Sequence, residues 1–452
     1  MNYRHVVLLL FLVTGIAVSV YAEGLTVDEA ISIALQKSTT IITSQKSLDS
    51  ALVEYKNRGN LLYPSIQAGS TVNRSNTAPT VGMEELSPYS LSMSVQGSLR
   101  LSPATFDGIR ALEQDYEGAA IDREKAEKAL RRDVKKSFYN LIYLEESISL
   151  LQESIETMEA QYKQALTDYQ NGRVSELHML NTKVAYKNME PQLSSLHSNY
   201  RNALSRFCLL IGVDPNTELS LEGDIELPYS AAALQSAMDV DSKELSSGFN
   251  LSSRFDIRST EVAIRQMETN RTGQVHSGFY PSMTISAGWN PVVREPFSDS
   301  TWSDSFSDPW TDQGSVSIGF SLPLDGLLPK SGVRTSIARL ENSIESARAH
   351  YQQQLRSASS EVQTLYRDMN DSLSNIESLE LNNEVAARNY ELSEEAYRSG
   401  TQDFIALQQA EDELNTAKKN LLEEKLSFLE ALFDLEYALN SSAEQILKGV
   451  IE

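Results

Sequence analysis

The chain has 452 residues and is 41% hydrophobic, enough to bury cores, so it is not a disordered polymer. Its formal net charge of −23 argues against nucleic acid as a partner, because binding phosphate needs a basic face. The charge fits either a solvated acidic surface or a lumen that favours cations. Cys208 is the only cysteine, which excludes an internal disulfide framework, and its place in RFCLLIG predicts a buried, inert thiol.

The first residues, MNYRHVVLLLFLVTGIAVSVYA, combine a basic start at Arg4, an apolar run from Val6 and small residues ending at Ala22. That is the pattern of a secretory signal peptide over 1–22, with a mature start at Glu23. No cysteine follows the cleavage site, so no N-terminal lipid anchor is expected. No later stretch is apolar enough for a transmembrane helix.

LTVDEAISIAL opens the mature chain. Thr26 and Glu29 have the spacing of a capping box, and the helix is expected to run to about Arg58. Next come a strand at 61–74 and, after a polar stretch, a second at 89–102. The second alternates cleanly. Leu91, Met93, Val95, Leu99 and Leu101 face one way, while Ser92, Ser94, Gln96, Ser98 and Arg100 face the other.

From Ala104 to Asn171 there is no proline. Ile148, Leu151, Ile155, Met158, Tyr162, Ala165 and Tyr169 recur at alternating three- and four-residue spacings, the signature of a coiled-coil seam. A helix this long would span about 100 Å. Gly172, in YQNGRVSELHML, ends it, and the chain returns with a bend expected at Pro191.

Residues 213–250 form an insert, and then the pattern starts again. FYPSMTISAGW echoes LYPSIQAGS, giving strands at 280–290 and 314–324. In SVSIGFSLPL, Val316, Ile318, Phe320 and Leu322 alternate with Ser315, Ser317, Gly319 and Ser321. Ile337, Leu340, Ile344, Ala347, Tyr351, Leu355, Ala358 and Val362 keep the three-four rhythm up to Gly400, in YRSGTQDFIALQ. Tyr169, Gly172 and Ser175 thus reappear as Tyr397, Gly400 and Asp403. The chain divides into a first repeat (23–212, turn near 172), the insert, a second repeat (251–440, turn near 400) and a tail (441–452). Long polar segments join the strands at about 73–88 and 290–314.

Eleven alternating residues suffice to cross a bilayer as a tilted strand. Four such strands do not close a membrane barrel, and an open sheet edge in lipid is prohibitively costly. The chain is therefore expected to share a barrel with copies of itself. Leu91, Met93, Val95, Val316, Ile318 and Phe320 are the expected lipid-facing residues.

The repeat resembles the TolC-type outer-membrane efflux protein family over essentially the whole mature chain. The matching pieces are LTVDEAISIAL, YPSIQAGS, YPSMTISAG, TFDGIRALE, the paired YxxG turns, LLIGVDP and SRFDIRSTEVAIRQ. One departure is Phe255, where many relatives have proline. The resemblance implies a mostly α fold: two coiled-coil helical hairpins and four amphipathic strands per chain. A homotrimer would then form a 12-stranded outer-membrane barrel continuous with a periplasmic helical barrel. The implied role is a passive exit duct of a tripartite efflux or type I secretion system, carrying drugs, metals or proteins. Its partners would be a periplasmic adaptor and an inner-membrane transporter. The turns would form the periplasmic tip, with Gly172, Arg173, Ser175, Glu176, Gly400, Thr401 and Asp403 contacting the adaptor. In well-known relatives acidic residues ring the closed tip six and nine positions after the second glycine. Here those positions are Ala406 and Gln409, which leaves Asp403, or apolar closure by Phe404, Ile405 or Leu407, as the gate.

No metalloprotease, phosphate-loop or CxxC pattern is present in the sequence. His178, past the first turn, reads as an exposed helix histidine. No catalytic residue, cofactor or metal is expected. Two other readings are a periplasmic coiled-coil adaptor or scaffold and an outer-membrane adhesin using the 290–314 loop. An adaptor has no use for four amphipathic strands and would be soluble after signal cleavage, whereas a channel would need detergent.

Overall fold

The computed structural model describes residues 24–74, 89–217, 219–227, 251–294, 296–297, 310–311 and 313–442. The expected signal peptide, most of the 213–250 insert, nearly all of the tail and most of both polar inter-strand segments lie outside the described residues. The helices are α1 (Val27–Lys37), α2 (Thr39–Lys56), α3 (Pro103–Gln170), α4 (Glu176–Ile211), α5 (Phe255–Phe279), α6 (Gly332–Arg398) and α7 (Phe404–Leu439). The strands are β1 (Ser65–Arg74), β2 (Tyr89–Leu101), β3 (Ser282–Trp289), β4 (Val292–Arg294), β5 (Trp310–Thr311) and β6 (Gly314–Ser321).

The repeat is visible in the helices. α3 and α6 contain 68 and 67 residues, and α4 and α7 contain 36 each. The compact units nevertheless cut across the repeats. One comprises Met1–Lys46, Ile121–Arg258 and Gln353–Glu452, the other Ser47–Ala120 and Ser259–Gln352. Each unit draws elements from both repeats.

In the first unit, Phe138, Leu141, Phe207, Ile211, Met369, Leu373, Ile376 and Phe428 form a fully buried core. Phe138 and Phe207 meet with ring centroids 6.2 Å apart. Cys208 is buried there, and burial pushes its thiol pKa up. Lys135–Glu436 (2.8 Å) and Lys136–Asp434 (2.9 Å) tie α3 to α7 at the margin of this core. The Thr26–Glu29 capping box starts α1. Contrary to the expected single helix to Arg58, the chain breaks at Ser38, which is extended at φ −62° and ψ 130°. Its carbonyl accepts from Ile41 and Ile42 and begins α2. The run TTIIT after it is β-branched, which weakens helix continuation. Pro191 lies within α4 without ending it.

In the second unit, β1, β2, β3 and β6 form one antiparallel sheet in that spatial order. Contrary to the strand expected from residue 61, residues 61–64 are not strand. Arg58–Leu62 is a 3-10 helix that follows the turn-forming Asn57 and contains Gly59. The four strands are also lengthened from within the 290–314 segment. After a break at Asn290 and Pro291, β4 continues on β2, and β5 continues on β4. Arg265–Glu117 (2.6 Å) and Arg258–Glu124 (2.9 Å), the latter in the first unit, brace α5 against α3.

Candidate functional site: an exposed apolar sheet face and two glycine turns

Residues paired directly across an antiparallel ladder share a face. Val95 is paired with Ala68 on one side and Trp289 on the other. Leu99 is paired with Ile285, and Ile285 with Ile318. Phe320 is paired with Met283, which is paired with Leu101. One sheet face is therefore apolar across all four strands. It carries Leu91, Met93, Val95, Val316, Ile318 and Phe320 together, and the register adds Ile66, Val72 and Trp289. Val316 and Phe320 are each 78% exposed. Leaving a Val or Phe side chain in water forfeits about 1.5–3 kcal/mol, so this face demands an apolar surrounding.

The opposite face is lined with hydroxyls. Ser65 and Ser98 meet at 2.9 Å, Ser286 and Ser317 at 2.7 Å, and Arg100 Nη2 donates to Ser282 Oγ at 3.3 Å. Among the described residues β1 is paired only with β2, and β6 only with β3. Each therefore has one backbone edge with no strand partner.

At the turns, Gly172 has φ +71° and Gly400 φ +76°. Arg173 N–H reaches Asp168 O and Gly172 N–H reaches Tyr169 O, while Thr401 N–H reaches Ala396 O and Gly400 N–H reaches Tyr397 O. Both are Schellman motifs, and the tyrosine of YxxG supplies one of the two acceptor carbonyls. Ser175 then caps α4 through His178 N–H, and Asp403 caps α7 through Ala406 N–H at 2.9 Å. Arg173 is exposed and pairs with Asp168 at 3.5 Å, and Glu176 and Thr401 are exposed.

Two expectations change here, the apolar gate candidates and the histidine. Phe404 is 3% and Leu407 2% exposed, so both pack inside the chain, and of the apolar gate candidates only Ile405 presents its side chain. Asp403 is exposed while serving as a cap. His178 is half-buried rather than exposed. It stacks on Tyr397 at 6.5 Å, meets Phe404 edge-on at 5.5 Å and lies 3.3 Å from the Tyr397 hydroxyl. This cluster joins the start of α4 to the end of α6 and the start of α7.

One buried group escaped the sequence reading. Glu411 sits on α7 in the seam of Phe404, Leu407 and Leu414, yet is only 5% exposed. Its three-four spacing from Leu407 and Leu414 is the signal that would have found it. Among the described residues no helix is long and apolar enough to cross a membrane, and no cluster of potential metal ligands occurs.

The sequence profile of the outer membrane efflux protein family matches residues 30–213 and 250–441. The chain belongs to this family. No curated protein matches it at a significant level. Among solved structures it is similar to the Campylobacter jejuni CmeC outer membrane channel, with 16% identity, TM-score 0.74, and coverage of 94% of this chain and 89% of that one. It is also similar to the Vibrio cholerae outer membrane protein VceC (15%, TM-score 0.71, 92% and 96%) and to the Neisseria gonorrhoeae MtrE outer membrane channel in its open state (18%, TM-score 0.70, 92% and 89%). The mostly helical fold with a small antiparallel sheet is that of these structures. This outer membrane efflux protein is an exit duct for efflux, located in the outer membrane. Its family is one of transport channels rather than enzymes.

Proposed function

We propose that three copies of the chain close a 12-stranded barrel around one pore and serve as the passive outer-membrane duct of a tripartite efflux or type I secretion system. The single observation that carries this reading is the four-stranded sheet, exposed and apolar on one face and hydroxyl-rich on the other, with β1 and β6 each lacking an outer strand partner among the described residues. In hydrocarbon every backbone group must be satisfied, so β6 of one copy pairs with β1 of the next until the ring closes. The hydroxyl face then lines the lumen.

The two glycine turns form the periplasmic tip. There the exposed Arg173, Glu176 and Thr401, flanked by Ser175 and Asp403, meet a periplasmic adaptor joined to an inner-membrane pump. Bulky replacements of Arg173 or Thr401 are expected to lower export without lowering assembly.

Native mass spectrometry of the detergent-extracted protein is the test, and three chains per particle is the expected result. A stable monomer that conducts ions in a planar bilayer overturns the shared barrel.

A further inference from the structure

The two repeats differ where the strand that precedes each long helix meets it. After β2 a single residue, Ser102, precedes α3, whereas ten residues, Leu322–Ser331, separate β6 from α6. The extra chain reads LPLDGLLPKS. Leu324 and Leu327 are 62% exposed and Leu328 61%. Nothing else in the turn explains so many leucines facing outward.

The turn is built rather than loose. Leu327 N–H bonds to Leu324 O and Leu328 N–H to Asp325 O, each at 3.0 Å. Gly326 is buried against the end of α5, where a Cβ would lie 2.5 Å from Gly278 O and 3.1 Å from the Phe279 ring. Arg334 Nε donates to Gly326 O at 2.8 Å, and its guanidinium lies over the Phe279 ring. Lys330, at φ +65°, redirects the chain into α6. The backbone is pinned at Gly326 while the leucines on either side point away.

The alternation of β6 also runs into this turn. Val316, Ile318 and Phe320 share the exposed apolar face, and Leu322 extends the same period by one step. The turn therefore continues an apolar face already assigned to lipid. The exposed charges Asp325 and Lys330 within it exclude a deep position, since a charge deep in hydrocarbon is expensive and long cationic side chains reach back to the headgroups.

We infer that Leu322–Lys330 is a shallow membrane anchor, dipping Leu324, Leu327 and Leu328 into the periplasmic leaflet of the outer membrane just beyond the end of the strands. The inference rests on the reading that the apolar sheet face meets lipid. The partner is the phospholipid headgroup and acyl boundary, with Lys330 at phosphate level. In an assembled duct each copy contributes one anchor, holding the junction between strands and helices at a fixed depth.

The test uses the full chain with Cys208→Ala, carrying a single Leu327→Cys or, as reference, Ile318→Cys, each labelled with an environment-sensitive fluorophore. Leu328→Cys repeats the measurement if the first label disturbs assembly. The proteins are placed in nanodiscs of phosphatidylethanolamine and phosphatidylglycerol. A fraction of the lipid bears a nitroxide near either the headgroup or the chain end. At Leu327 the expected result is blue-shifted emission, with a larger loss from the headgroup-level nitroxide. At Ile318 both nitroxides quench. Quenching at Ile318 with none at Leu327 overturns the anchor and leaves the sheet reading intact, the turn then facing water or a neighbouring copy. Absence of quenching at both sites overturns the sheet reading together with the anchor. Loss at Leu327 that is larger from the chain-end nitroxide overturns the shallow placement.

Discussion

Gln161 on α3 and Glu411 on α7 face each other across a helical seam, with Gln161 Nε2 3.5 Å from Glu411 Oε2. Tyr390 and Glu394 approach the same carboxyl from α6, and Asp412 follows it on α7. Burial first, then the like charges of Asp412 and Glu394, raise the Glu411 pKa from 4.5 to about 7, against a lowering from Gln161. The same surroundings push the Tyr390 hydroxyl to about 12.

This pair makes stability depend on pH with a definite sign. Between the unfolded value of 4.5 and the folded value of about 7, the folded chain keeps a proton that the unfolded chain has released. Stability therefore falls as pH rises through this window and levels off above it. Glu411→Gln keeps the shape and an amide partner for Gln161 but cannot ionise. Above the window it stabilises by on the order of 2–3 kcal/mol per chain. Denaturant melts of wild type and variant across the window check this. Glu146 and Asp412 are also raised while Glu127 and Asp256 are lowered, so the quantity read is the difference between the two proteins. A pH-independent difference overturns it.

Gly172 and Gly400 are the two sites where a left-handed backbone is required at a hairpin turn. A Cβ at either meets no other atom within 4 Å, so Gly→Ala acts through the backbone alone. Each replacement costs about 1–2 kcal/mol. Gly332→Ala, at the start of α6 with equally open space and no left-handed φ, is the control and loses nothing. Helical circular-dichroism melts of the three variants separate the two cases.

Val95 and Ser94 are neighbours on β2 that face opposite ways. Val95→Arg places a cation on the apolar face between Ala68 and Trp289, at about 2–4 kcal/mol if near the bilayer midplane. Ser94→Arg enters the hydroxyl face and is tolerated. The yield of heat-modifiable oligomer in outer-membrane fractions falls sharply for the first variant and little for the second. Equal yields contradict the assigned faces.

Asp403 both caps α7 and remains exposed, so its two roles can be separated. Asp403→Ser and Asp403→Asn preserve the cap, whereas Asp403→Ala costs about 1 kcal/mol of helix stability. If three carboxylates line the constriction, both cap-preserving variants lower cation selectivity in planar bilayers. Apolar closure by the exposed Ile405 instead predicts unchanged selectivity in those variants and a conductance rise in Ile405→Ser. Leu407→Ser is not an equivalent probe. Leu407 is buried within the chain, and that change destabilises the tip by about 2 kcal/mol or more.

The local structure was legible in the sequence because it follows from local rules. A glycine required at positive φ, a three-four apolar rhythm and a strict alternation of two each depend on residues near one another in the chain. That is why the Gly172 and Gly400 turns, the seams through Ile148 and Ile344, and the split of β2 into Val95 and Ser94 faces could be read directly. Periodicity says which side of an element is apolar but not what covers it. Only the tertiary structure turned Phe404 and Leu407 inward, stacked His178 on Tyr397 and buried Glu411 beside Gln161. It also drew the compact units from both repeats, as where Gln161 meets Glu411 across 250 positions of sequence. For the strands the division is sharper. Alternation marked Val316, Ile318 and Phe320 as one face, but the ladder alone showed that this face is continuous across four strands and that, among the described residues, β1 and β6 each pair on one side only. Hydrogen-bond partners across a sheet are set by register, and register depends on pairing between segments far apart in the chain.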